Sequence, residues 1–142
     1  MPAASAAPVT VTDIAVRADR LVLAVVLTTA TPRETTPELA KALVRAVPSL
    51  PAHACVNGHG ATFGAVLDDT SIPHVLEHLI IDAQVRAAAR SGEAGRGAFV
   101  GTTCWVDRQA GRARVEVSYA DDLVALAAVK QALATLNGVL EG

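Results

Sequence analysis

The strongest constraint on this chain is a stretch that leaves a helix almost no polar side. Residues 71–84 read SIPHVLEHLIIDAQ. Ser71 is a good N-cap and Pro73 is tolerated in a first turn, so a helix is expected to start here and run to about Arg90. At 100° per residue, Leu76, Leu79 and Ala83 share one face, widened by Ile72, Val75 and Ile80. His74, His78 and Asp82 fall on the other side, one turn apart, but Ile81 and Val85 accompany them. A helix apolar nearly all round is buried on both sides. The rest of the chain must therefore cover it and also partner its imidazoles and carboxylates, which are costly to bury alone.

The flanking sequence supplies the covering layers. Residues 9–16 (VTVTDIAV) and 21–29 (LVLAVVLTT) are β-type runs joined by a polar turn, so they read as an antiparallel hairpin. The second run is apolar on both faces and is expected inside the sheet. Thr36, Pro37 and Glu38 start a helix whose stripe is Leu39, Leu43, Ala46 and Val47, ended by Pro48 and Pro51. Residues 53–69 show no period and read as a long glycine-rich loop. Residues 98–106 and 113–119 form a second expected hairpin, and Asp121 opens a last helix with Leu123, Leu126, Ala127, Val129, Leu133 and Leu136 as its core face. The result is an α+β domain of two ββα halves: a four-stranded antiparallel or mixed sheet, covered by helices that include the buried HxxEH helix. Residues 1–8 are expected to be a disordered tail and 9–142 a single domain.

Composition removes several function classes. With a net charge of -2 the chain has no overall electrostatic footprint for nucleic acid or an anionic membrane, and neither partner is expected. The run 21–30 is about half the length of a bilayer span. The first ten residues lack the charged and apolar regions of a signal peptide, so a cytoplasmic location is expected. Two cysteines, Cys55 and Cys104, do not make a disulfide framework in such a chain.

The chemistry lies in H-V-L-E-H. Histidines at i and i+4 point the same way and can reach one Zn²⁺ at about 2.0–2.1 Å. Glu77, rotated by one residue, is placed as the general base for a water that the metal activates, the H-x-x-E-H pattern of inverted zincins. A catalytic zinc takes three protein ligands and an open position. Candidates for the third are Cys104, Asp82, His53, Cys55, His59 and Glu116. Cys104 is favoured because a mid-strand thiolate can face the helix, and Asp82 is better placed to orient His78. Arg96 could clamp a substrate carboxylate. Trp105 reads as core.

Residues 53–84, HACVNGHGATFGAVLDDTSIPHVLEHLIIDAQ, resemble the N-terminal domain of cyanophycin synthetase, where an H-x-C, a glycine-rich stretch and an H-V-x-E-H helix followed by an acidic residue and Gln occur in the same order. WVDRQAGR and the last helix fit that domain's closing hairpin and helix, so the resemblance runs from about His53 to Leu140. It implies metal on His74 and His78, Glu77 as base, and His53 and Cys55 shaping or joining the site. Where the family strand has Phe-Glu-Tyr, this chain has Thr103, Cys104 and Trp105, which would put Cys104 in place of a glutamate ligand and soften the site toward zinc. The resemblance further implies a peptide or amino-acid polymer substrate, an Asp-Arg polymer in that family, either cut or merely held. In the family the domain precedes two ligase modules that do not follow within these residues, so a ligase partner or a homodimer is expected. HVLEH and the ββα layout also look like S-ribosylhomocysteine lyase, whose reactive-cysteine context neither cysteine reproduces. The expected function is a zinc-dependent hydrolase of a peptide or isopeptide bond. A non-catalytic binding module and a metal-dependent lyase are the alternatives.

Overall fold

In the computed structural model of the chain, residues 6–57, 59–92 and 99–142 are described, Val56 and Asn57 by their backbone alone. The first hairpin is β1 (Val9–Val16) and β2 (Arg20–Leu27), and the second is β5 (Gly101–Asp107) and β6 (Arg112–Ser118). They join through β2 and β6 into one antiparallel sheet of order β1-β2-β6-β5. β2 lies inside the sheet, as its apolar run predicts. Alternation along it sets the faces: Leu21, Leu23, Val25 and Leu27 are buried while Ala24 is exposed. Among the described residues, helices cover only the first of these faces, where Ala113, Val115 and Val117 of β6 continue the core.

Among the described residues three helices fill that side: α1 (Pro37–Ala46), α2 (Ile72–Arg90) and α3 (Asp122–Glu141). Thr36, Ser71 and Asp121 cap them as N-caps, each side chain accepting from a first-turn amide. α2 crosses β5 and β6 and packs on α3, which reaches β1 and α1. Asn137 of α3 grips Val9 at both its main-chain groups, accepting at 2.9 Å and donating at 3.0 Å, which fixes where β1 begins.

The β5–β6 turn is locked by one side chain. The Arg33 guanidinium donates to the carbonyls of Thr28, Thr31, Arg108 and Gln109, tying the exit of β2 to the turn. Gly111 closes that turn at φ +74°, and a Cβ there would stand 2.5 Å from the Leu27 carbonyl oxygen.

Several expected details differ. Residues 53–69 are not a structureless loop: 3-10 turns at Leu50–Ala52 and Phe63–Ala65 bracket a small antiparallel hairpin of β3 (Ala54–Asn57) and β4 (Gly60–Thr62). On α1 the buried stripe is Ala40, Leu43 and the following Val47; Ala46 is exposed, because the helix is rotated by about one residue. On α2 burial holds through Gln84, but Val85 is 46% exposed, since the helix leaves the core there. On α3 the core face is Ala125, Ala128, Val129, Ala132 and Leu136, while Leu123 is 74% exposed and Ala127 is exposed too. Small residues on that face allow close approach to α2, so the leucine stripe turns partly outward. By length and composition α3 is also apolar enough to span a membrane, with a mean hydropathy of 1.6.

Candidate metal centre

α2 carries His74, Glu77 and His78 on the side that faces β5 and the small hairpin. Burial of Glu77 and His78 is nearly complete, at 4% and 3% exposed. Each Nδ1 is engaged outside the cluster: Thr70 Oγ1 lies 2.8 Å from His74 Nδ1, and His53 Nδ1 lies 3.3 Å from His78 Nδ1. That leaves both Nε2 atoms toward the cleft. His74 Nε2 is 3.7 Å from Cys55 Sγ, and His78 Nε2 is 3.5 Å from Glu77 Oε2. Phe63, fully buried, fixes the planes of both rings. It stacks on His78 at 4.0 Å and 14° and meets His74 edge-on at 4.9 Å.

The sulfur that joins the histidines belongs to Cys55, not Cys104. Ligand atoms of Cys55, His74 and His78 all lie within 4.8 Å of one another. Cys104 is exposed on the open face of the sheet, paired in register with Arg114. The reason is strand alternation. Gly101 and Thr103 face α2, so Cys104 must face away.

The donor set suits zinc. Two imidazole nitrogens and a thiolate are borderline-to-soft ligands. Bond lengths of about 2.0–2.1 Å to nitrogen and 2.3 Å to sulfur imply an N···S separation of roughly 3.6 Å across a tetrahedral ion, against 3.7 Å between His74 and Cys55. Desolvation lowers the His74 pKa, and desolvation with the neighbouring His74 and His53 charges lowers that of His78 to about 3. Both rings are therefore neutral near pH 7, as ligation requires. The three donor side chains lie beside an open cleft, so an ion held there would keep a position for a further ligand.

Around this group, Glu77 is held by β5. Thr103 donates to its Oε1 at 2.7 Å, and Gly101 lies so close that a Cβ would stand 2.7 Å from Glu77 Cγ. Burial raises the Glu77 pKa, and the Thr103 hydrogen bond opposes that. The cleft is about 640 Å³ and is lined by Cys55, His74, Glu77, His78, Ile81 and residues 99–103 among others.

Asp82, expected to orient His78, does not bond that ring directly. It bonds His53 Nε2 at 2.9 Å, Ser49 Oγ at 2.5 Å and Arg86 Nε at 2.7 Å. Burial works to raise its pKa, but these bonds and the His53 and Arg86 charges outweigh burial and lower it. His59 is exposed beside β4, and Glu116 sits on the sheet's other face with Arg20 and Arg114. Arg96 lies outside the described residues. Trp105, partly buried, packs against the core.

Thr103, Thr70, Ser49, Phe63 and Arg86 were not anticipated as part of the site. Thr103 had a usable signal, since Gly101 two residues earlier marks the strand face that must approach α2 closely. Ser49 and Phe63 reach the site through 3-10 turns and leave no periodic trace.

The family model described as the cyanophycin synthase-like N-terminal domain matches residues 20–141. The match starts at β2, well before the His53 at which the motif resemblance begins. A comparison with curated proteins found no match.

Proposed function

This chain belongs to the cyanophycin synthase-like N-terminal domain family, and from that premise and the cluster on α2 we propose a zinc-dependent hydrolase of a peptide or isopeptide bond. The observation that carries the proposal is the convergence of Cys55, His74 and His78 within 4.8 Å, with Glu77 beside them on an open cleft. Cys55, His74 and His78 would hold the ion. Bound there, zinc would supply Lewis-acid polarisation of an amide carbonyl and a water of lowered pKa.

The remaining work belongs to the chain. Glu77 Oε1 is tied to Thr103, so Oε2 is the oxygen turned to the cleft to take a proton from the attacking water and return it to the leaving nitrogen. Burial strengthens that base, because a carboxylate denied solvent holds a proton more readily. The cleft volume falls in the range that encloses a small ligand. The substrate class is a small or polymeric amino-acid conjugate. Cyanophycin is the named candidate, on family membership alone.

The test is metal content with activity. Expected are about one zinc per chain, lost in Cys55→Ser and His74→Ala, and cleavage of an amide or isopeptide substrate that Glu77→Gln abolishes while keeping its zinc. A chain that binds no zinc on titration, or a Glu77→Gln variant of full activity, would overturn the hydrolase and leave a binding module.

A further inference from the structure

The contact of His78 with His53 carries more than packing. His53 follows the 3-10 turn Leu50–Ala52, its amide donating to Leu50 and its carbonyl accepting from Phe63 at 2.8 Å. That turn brings Ser49 and His53, four residues apart, onto the same oxygen of Asp82. Asp82 is 2% exposed, and Arg86 holds its other oxygen at 2.7 Å. An ionised carboxylate only accepts hydrogen bonds, so His53 Nε2, 2.9 Å away, must carry a hydrogen. In a neutral ring the Nδ1 of His53 is then a bare lone pair. The atom facing it at 3.3 Å, His78 Nδ1, must in turn be the N–H. His78 Nε2 is left with its lone pair toward Cys55, His74 and Glu77. At His74 no such logic holds, because the Thr70 hydroxyl can serve either tautomer.

We propose that His53 is a positioning residue: backed by Asp82, it fixes His78 as the Nδ1–H tautomer and so keeps His78 Nε2 free to bind a metal ion. Free imidazole side chains prefer the opposite tautomer, so the arrangement removes an unproductive state before any ion arrives. The metal half of this inference rests on the reading of Cys55, His74 and His78 as the ligand set. The tautomer half stands on the hydrogen bonds alone.

The experiment separates the two. Long-range proton–nitrogen NMR correlations on nitrogen-15-labelled, metal-free chain at neutral pH report which ring nitrogen carries each proton. The expected result is Nδ1–H for His78 and Nε2–H for His53, with His78 reverting toward Nε2–H in His53→Leu. An Nε2–H tautomer at His78, or a doubly protonated His53, overturns the proposal whether or not zinc binds. Zinc titration is the second arm. Asp82→Asn and His53→Leu should each weaken zinc about 10–100-fold. His53→Asn, whose amide oxygen takes the Nδ1 position, should recover part of the loss. Equal affinity in Leu and Asn variants would reduce His53 to packing, and a wild-type chain that binds no zinc would instead strike the hydrolase reading.

Discussion

Acid should unfold the metal-free chain through His78. Its pKa falls from 6.5 to about 3 on folding, first by desolvation and then by the neighbouring His74 and His53 charges. Above 6.5 the ring is neutral in both states, so it contributes nothing to the pH dependence. Below 6.5 the unfolded chain binds a proton that the folded chain refuses, and stability falls until the full cost is reached near pH 3. At 1.36 kcal/mol per tenfold, that cost is roughly 5 kcal/mol. Contacts that favour the charged ring oppose it: an imidazolium stacked on Phe63 gains a cation–π interaction of about 2 kcal/mol, while Glu77 Oε2, 3.5 Å from its Nε2, takes up a proton in the same pH range and adds little. The net loss is about 3 kcal/mol, roughly a hundredfold in the folding equilibrium and a large share of a typical domain's 5–15 kcal/mol. Asp82, whose folded pKa is lowered, loses its stabilising charge in the same direction; Glu77, whose pKa is raised, partly offsets by taking up a proton sooner when folded. Urea unfolding followed by circular dichroism, in chelator and across this pH range, measures the slope. His78→Gln removes the titrating ring and should flatten it. A wild-type midpoint that does not move between neutrality and acid, or an equal slope in the variant, refutes the reasoning.

Two further predictions concern the site's walls. Cys55→Ser should cost the chain its zinc while Cys104→Ser keeps it, as elemental analysis of both variants checks; the reverse pattern would restore the mid-strand cysteine as the ligand. Gly101→Ala should destabilise the domain by about 1–3 kcal/mol, since its Cβ would meet Glu77 Cγ at 2.7 Å and the Glu116 carbonyl at 2.9 Å. A thermal melt gives the size, and hydrolysis should drop further than zinc binding because Glu77 is displaced rather than a ligand.

What was legible in the sequence follows from the length of each signal. Nineteen residues of α2 have room to show capping, period and the two histidines one turn apart, so the helix and its contents were readable. β2 showed its interior position by an unbroken apolar run. The three- and four-residue strands of the small hairpin are too short for alternation to register. The choice of Cys104 failed on phase. A shift of one residue along β5 exchanges the faces, and nothing in GTTCWVD except its glycine fixes that phase. On α3 the expected face holds in Val129 and Leu136, which are buried, and in Leu126 and Leu133, which pack on the core; the buried Ala125, Ala128 and Ala132 were missed because small side chains give a weak apolar signal.

The thiol arrives from a different kind of chain than the imidazoles do. His74 and His78 are built into the helix on which the core is assembled, so their spacing is set by α2 itself. Cys55 sits on a short hairpin outside the main sheet, opposite a strand whose three residues are all exposed. Cys55 itself is only partly buried, at the edge of the core. The cluster therefore has two halves of different origin: two nitrogens whose spacing the long helix sets, and a sulfur whose position depends on a hairpin outside the main sheet.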